Sequence, residues 1–288
     1  MTAIYKREVR SYFHSMIGYV FIAFMIAFTG VYFMVYNLSY GYPYFSYVLS
    51  GVEFILLITI PVLTMKSFAE ERKNKTDQLL LTSRASLFQV VLGKYLAMLS
   101  IMLIPCLLYL LFPLVIKLQG VAYITVDYLT ILMFFLLGGV YISIGMFISA
   151  LTESQIIAAI GTVGILFVLR LWDGLGDYIP TSAVSNAFGI ALLLSLVVGW
   201  IYFMTRNWVI SAGLEVVVVA ACAALYFLKP SVLENALPGI WDKLELLHVF
   251  TNVFSNNLFD LSGIIMYLSV ICVFVFLTMQ VIQKRRWS

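Results

Sequence analysis

The chain has 288 residues; 63% are hydrophobic, 16% aromatic and only 11% charged, with a formal net charge of +3. A soluble globule carries roughly a quarter of its residues as charges, so composition excludes one and leaves a membrane protein. The small positive balance points to no nucleic-acid partner; the basic residues serve topology and attract anionic headgroups.

Residues 1–15 open the chain. Ile4, Tyr5, Val9, Tyr12 and Phe13 share one helical face, with Lys6, Arg7 and Arg10 around the rest. That pattern predicts an interfacial helix lying in the headgroup layer. Eight apolar blocks follow, most of about 17–25 residues, the length that crosses roughly 30 Å of hydrocarbon. They are Ile17–Asn37, Val52–Ser67, Val91–Ile116, Tyr128–Leu151, Ile156–Leu171, Ala187–Met204, Val209–Leu228 and Gly263–Ile282. If one hairpin fails to span, the count is six and both ends keep the same side. No small-residue cleavage site follows the first block, which therefore reads as a retained span.

Between the first two blocks, Tyr36, Tyr40, Tyr42, Tyr44, Phe45 and Tyr47 crowd around Gly41 and Pro43, as aromatic anchors do at a bilayer boundary. Pro61, Pro105 and Pro113 fall inside blocks, where each is expected to kink its helix. Gly138, Gly139, Ser143, Gly145 and Ser149 predict close helix packing. In residues 229–262, Trp241, Leu244, Leu247, Phe250 and Phe254 recur near helical spacing, predicting an outer amphipathic helix. No linker or tandem repeat divides the chain, so residues 1–288 read as one transmembrane domain.

The basic residues orient it. With the N-terminus inside, Lys6, Arg7, Arg10, Lys66, Arg72, Lys73, Lys75, Arg84, Lys94, Arg206, Lys284, Arg285 and Arg286 are cytoplasmic. Only Lys117, Arg170, Lys229 and Lys243 lie outside, thirteen against four. Both termini are then cytoplasmic, as is the charged insert at residues 68–86. An amphipathic element held there suits docking of a soluble partner. Glu71, Arg72, Lys73 and Asp77 are expected to make polar contacts with it, and Leu79 and Leu80 to pack against it.

Motifs of chemistry are missing. No Gly-x-x-x-x-Gly-Lys-Ser/Thr occurs; the one Gly-Lys pair, Gly93-Lys94, is followed by Tyr95. His14 and His248 fall on opposite sides of the bilayer and predict no metal or acid–base pair. Cys106, Cys222 and Cys272 are scattered within spans and read as core residues. The chain is therefore expected not to be an enzyme and to hold no cofactor. Charges inside a bilayer are costly and mark function by default. Glu53 and Arg170 lie near the outer face, where they either pair along a vestibule or snorkel to the interface. Glu215, roughly 9 Å into its span at 1.5 Å per residue, either pairs with Arg206 or titrates.

The run Glu70-Glu71-Arg72-Lys73, then Thr76, Leu79-Leu80, Ser86 and Gly93-Lys94, resembles a pattern of the ABC-2 exporter permeases, especially those of the bacterial gliding-motility type. That family carries an acidic-basic run, Gly-Thr-x-Glu-Leu-Leu, Pro-x-Ser and Gly-Lys. The opening Tyr5-Lys6-Arg7-Glu8 and the closing Lys284-Arg285-Arg286-Trp287 look like its N-terminal elbow and its C-terminus. The family glycine, glutamate and proline are here Lys75, Gln78 and Arg84. The resemblance implies an all-α, type V exporter-like transmembrane domain with an N-terminal elbow around Lys6, Arg7 and Glu8, and a coupling segment through Glu70, Glu71, Arg72, Lys73, Thr76, Asp77, Leu79 and Leu80. It implies an ATP-driven exporter with a dimer of ABC ATPase subunits binding ATP and Mg, and a second permease subunit, in the cytoplasmic membrane of a bacterium. It also leaves room for an extracytoplasmic accessory subunit. Against its usual six spans, the hairpin near 187–228 reads as an addition. Two other readings stand beside it: an ion-coupled secondary carrier, and a non-transporting scaffold that transmits force.

Overall fold

A computed structural model describes residues 2–76, 86–176, 178–205, 208–228, 233–256 and 261–287. All eight apolar segments lie on helices, and no strand occurs among the described residues. Helix α1 (Thr2–His14) precedes α2 (Ile17–Phe33), which runs on through a π-helical turn, Met34–Ser39. Next come α3 (Ser46–Thr64), α4 (Ala69–Lys73), α5 (Leu87–Tyr109), α6 (Leu111–Gln119), α7 (Ile124–Leu151) and α8 (Gln155–Gly176). The chain continues through α9 (Ala183–Thr205), α10 (Trp208–Leu228), α11 (Ala236–Leu244), α12 (Leu246–Asn256) and α13 (Leu261–Trp287).

Six stretches among the described residues are long and apolar enough to cross a membrane: Ile17–Ser39, Ser46–Lys73, Leu87–Gln119, Ile124–Leu151, Gln155–Trp172 and Leu261–Arg285. A shorter apolar run, Ala183–Leu196, lies on α9. The block expected as one helix over Val91–Ile116 breaks at Leu110, between α5 and α6. The cause is Pro113, which has no N–H for the carbonyl four residues back, at Tyr109. The Leu110 carbonyl accepts a hydrogen bond from Tyr128 Oη at 3.4 Å.

The structure divides into two compact units, Met1–Leu169 with Leu246–Ser288, and Arg170–Glu245. The core of the first is α7, whose Met133, Phe134, Leu137, Val140 and Ile142 are fully buried. Helices α3, α5, α12 and α13 pack around it. The small residues do what their size allows: a Cβ on Gly145 would lie 2.9 Å from Thr64 Cβ and 3.0 Å from Thr162 Cγ2, so α3 and α8 can close on α7 only over a glycine. One helix was expected across 229–262, but extended backbone at Glu245 separates α11 from α12. Leu246, Leu247, Val249, Phe250 and Val253 of α12 are buried on protein, against α7 and α3.

In the second unit α9 and α10 pack together as a hairpin. Asn186 fastens α11 to it: Nδ2 donates to the Pro180 and Ser182 carbonyls at 3.1 and 2.9 Å, and Oδ1 accepts from Leu237 N–H at 3.0 Å. Trp241 stacks on Trp172 at 3.7 Å between ring centres and donates from Nε1 to the Trp172 carbonyl.

Candidate functional site

Charged side chains gather at one end of the first unit, where α1, α4 and α5 meet. Helix α1 presents Ile4, Glu8 and Tyr12 at i, i+4 and i+8, one stripe of a helix. Glu8 and Tyr12 are buried and Ile4 is half-buried. Gly93 of α5 lets this stripe approach: a Cβ there would lie 3.2 Å from Ile4 Cγ2 and 3.6 Å from the Tyr5 nitrogen. Two turns further along α5, Ser100 Oγ sits 2.9 Å from Tyr5 Oη. The next residue after the glycine is Lys94, only 2% exposed, and its ammonium enters the contact that the glycine permits.

Lys94 Nζ lies 2.8 Å from the Ser67 carbonyl, 2.9 Å from Glu71 Oε1 and 3.3 Å from Glu8 Oε2. Three donors meet three acceptors, so the buried ammonium is fully satisfied. Arg7 Nη2 closes the figure, 2.7 Å from Glu8 Oε1 and 3.2 Å from Glu71 Oε1. The result is a neutral ring of two cations and two carboxylates, Arg7–Glu8–Lys94–Glu71, tying the N-terminal helix, α4 and α5 together. Phe68 adds its ring face 5.1 Å from Nζ. Burial pulls the Arg7 pKa down, but the hydrogen bond and charge of Glu8, with Glu71 behind them, raise it overall. Burial pushes the Tyr12 phenol well above its usual range, and the nearby charges of Glu8, Glu71 and Glu70 push the same way. Beside the ring, a cleft of about 260 Å3 is lined by Arg7, Glu8, Lys66, Glu70, Glu71 and Lys94, among others.

Helix α4 has both ends tied. At its start, Ser149 Oγ of α7 accepts from Phe68 and Ala69 N–H, each at 3.2 Å. At its end, Thr76 N–H reaches the Glu71 carbonyl at 2.9 Å and Lys75 N–H the Arg72 carbonyl at 3.0 Å. This paired closure needs a left-handed residue after the cap, and Lys75 supplies it with φ of +55°. Glycine, the residue of the resembled family, holds that conformation without the Cβ penalty of about 1–2 kcal/mol. Lys75→Gly is therefore expected to tighten the turn by about 1 kcal/mol, seen as roughly fivefold slower amide exchange at Thr76. Unchanged exchange would show that the lysine pays no such penalty.

The residues singled out in the sequence part company here. Glu71 joins the ring, and Arg72, 8% exposed, turns inward with Nη1 3.5 Å from the Thr152 carbonyl at the end of α7. Glu70 lies 3.7 Å from Lys66, while Lys73 and Thr76 are exposed. Lys6 is exposed on α1. Asp77, Leu79 and Leu80 lie outside the described residues. Glu53, 2% exposed, accepts a hydrogen bond from Tyr141 Oη at 3.3 Å. Glu53 belongs to the first unit and Arg170 to the second. Glu215 is half-buried on α10, and Arg206 lies outside the described residues. Among the described residues, no three His, Cys, Asp or Glu side chains are grouped to hold a metal ion.

Sequence pattern alone marks Lys94 as a topology charge and Ser149 as a packing residue. A lysine in the second turn of an apolar helix was the signal for the first. An acid in the apolar stripe of α1 was its counterpart. Nothing local distinguished Ser149 from its small neighbours.

With six apolar stretches of membrane-crossing length among the described residues, this helical protein is a multi-pass membrane protein. A family model described as ABC-2 family transporter protein matches residues 3–281, and the chain belongs to that family. Neither the curated proteins nor the solved structures give a match.

Proposed function

We propose that the chain is the permease subunit of an ATP-driven ABC-2 exporter in a bacterial cytoplasmic membrane. A separate ATPase dimer binds ATP and Mg, and a second permease subunit completes the pathway; this chain catalyses no reaction. α9 and α10 add a pair of spans to the six, leaving both ends cytoplasmic. α1 is the interfacial elbow, and α4 with the segment after it is the coupling element. One observation carries this reading: α4 is bonded inward to α1, α5 and α7 while Lys73, Asn74, Lys75 and Thr76 face outward. A short helix tied to three spanning or interfacial helices moves them when its outer face is pushed. The motif text at residues 70–94 supports placement beside the gliding-motility-type permeases.

Purification of the tagged chain from native membranes in mild detergent tests the proposal. A stoichiometric P-loop ATPase and ATP hydrolysis in the eluate are the expected result. A chain that arrives alone after cross-linking, with no hydrolysis, would overturn it.

A further inference from the structure

We propose that Ser149 is a positioning residue that passes movement of α4 into α7. The inference rests on the permease reading above and adds to it the route by which the coupling element reaches the opposite membrane face.

The hydroxyl of Ser149 is fully used. It donates to the Met65 carbonyl at 3.2 Å and accepts from Phe68 and Ala69 N–H. A serine hydroxyl has one donor and two acceptor positions, and all three are spent on the turn that starts α4. Those two amides are among the orphan donors that any helix start leaves. Phe68 occupies the cap position and has no side-chain acceptor. The cap therefore comes from another helix, 81 residues away along the chain. Displacing α4 without α7 would strand two amides and a carbonyl in a place where Ser149 is fully buried.

The far end of α7 is tied too. Asp127 Oδ1 accepts from Ser46 N–H, at the start of α3, at 3.0 Å. Between Asp127 and Ser149 the helix runs unbroken for about 33 Å at 1.5 Å per residue. Around the inner tie, the last carbonyls of α7 take cations as helix C-termini do. Arg285 Nη2 reaches the Leu151 carbonyl at 3.3 Å, and Arg72 lies near that of Thr152. The helix is thus a strut, pinned to the coupling element at one end and to the outer start of α3 at the other.

The test uses the complex purified with its ATPase, with Cys106, Cys222 and Cys272 changed to Ala. Thr125→Cys, at an exposed position in the outer turn of α7, reports through its rate of reaction with a membrane-impermeant maleimide. ATP with vanadate is expected to change that rate by about threefold in the parent, and Ser149→Ala to abolish the change while bound ATPase and nucleotide stay at parent levels. Ser149→Thr, which keeps the hydroxyl, should restore it. Should the alanine variant fail to assemble, Ser149→Val, the hydroxyl-free isostere of the threonine variant, is read in its place. A full nucleotide response without the hydroxyl would overturn the strut. No response in the parent, or no ATPase bound to it, would overturn the permease reading beneath.

Discussion

Lys94→Met is expected to destabilise the protein by about 3–5 kcal/mol, the usual result of removing one partner from a buried ion pair. The side chain is 2% exposed, and Glu8 and Glu71 beside it are 11% and 17% exposed. Without the ammonium, two carboxylates face each other with only the half-exposed Arg7 between them. The measurement is thermal unfolding in detergent, with membrane abundance as a second reading. A companion variant separates charge from shape: Lys94→Met with Glu8→Gln and Glu71→Gln should recover most of the loss, because neutral side chains no longer strand a charge. A single variant as stable as the parent would show that water reaches the ring freely. A triple variant that recovers stability but not ATPase stimulation would show that the ring also serves coupling.

Charge reversal on the outer face of α4 should do the opposite. Lys73→Glu with Lys75→Glu is expected to leave unfolding unchanged and to cut the ATPase recovered with the chain at least about tenfold, equivalent to roughly 1.4 kcal/mol of binding. Both lysines are exposed, and neither forms an ion pair among the described residues. Reversal thus removes no ion pair among the described residues. It replaces two attractive charges with two repulsive ones where a partner would arrive. Full recovery of the ATPase would move the docking face elsewhere and leave α4 as a purely internal brace.

The comparison of these two experiments marks how far the sequence was legible. Apolar length alone located every long helix, because about 20 apolar residues in a row are written locally. The basic run at 66–75 located the charged element for the same reason. What sequence did not reveal was direction. Glu71 and Arg72 read as solvent-facing because they sit in a charged run, yet α4 is so short that half of its five residues must face the bundle. Glu8 stands in register with Ile4 and Tyr12, and that spacing puts its charge on the buried face. Contacts such as Arg7–Glu71 and Tyr5–Ser100 join residues 64 and 95 apart, and no local pattern encodes a meeting at that distance. The break at Leu110 was legible from Pro113 only once the proline was counted back four residues rather than treated as a bend.

The ring also sets an order of events during synthesis. Helix α1 leaves the ribosome before α5, whose face for it is made up to 95 residues later. At 5–20 residues per second, that is a wait of about 5–20 s. Throughout it Glu8 has no lysine to meet and must stay hydrated at the bilayer surface, so α1 docks only once α5 is made. Nascent chains stalled before residue 94 should therefore leave α1 open to protease, and chains stalled well beyond it should not.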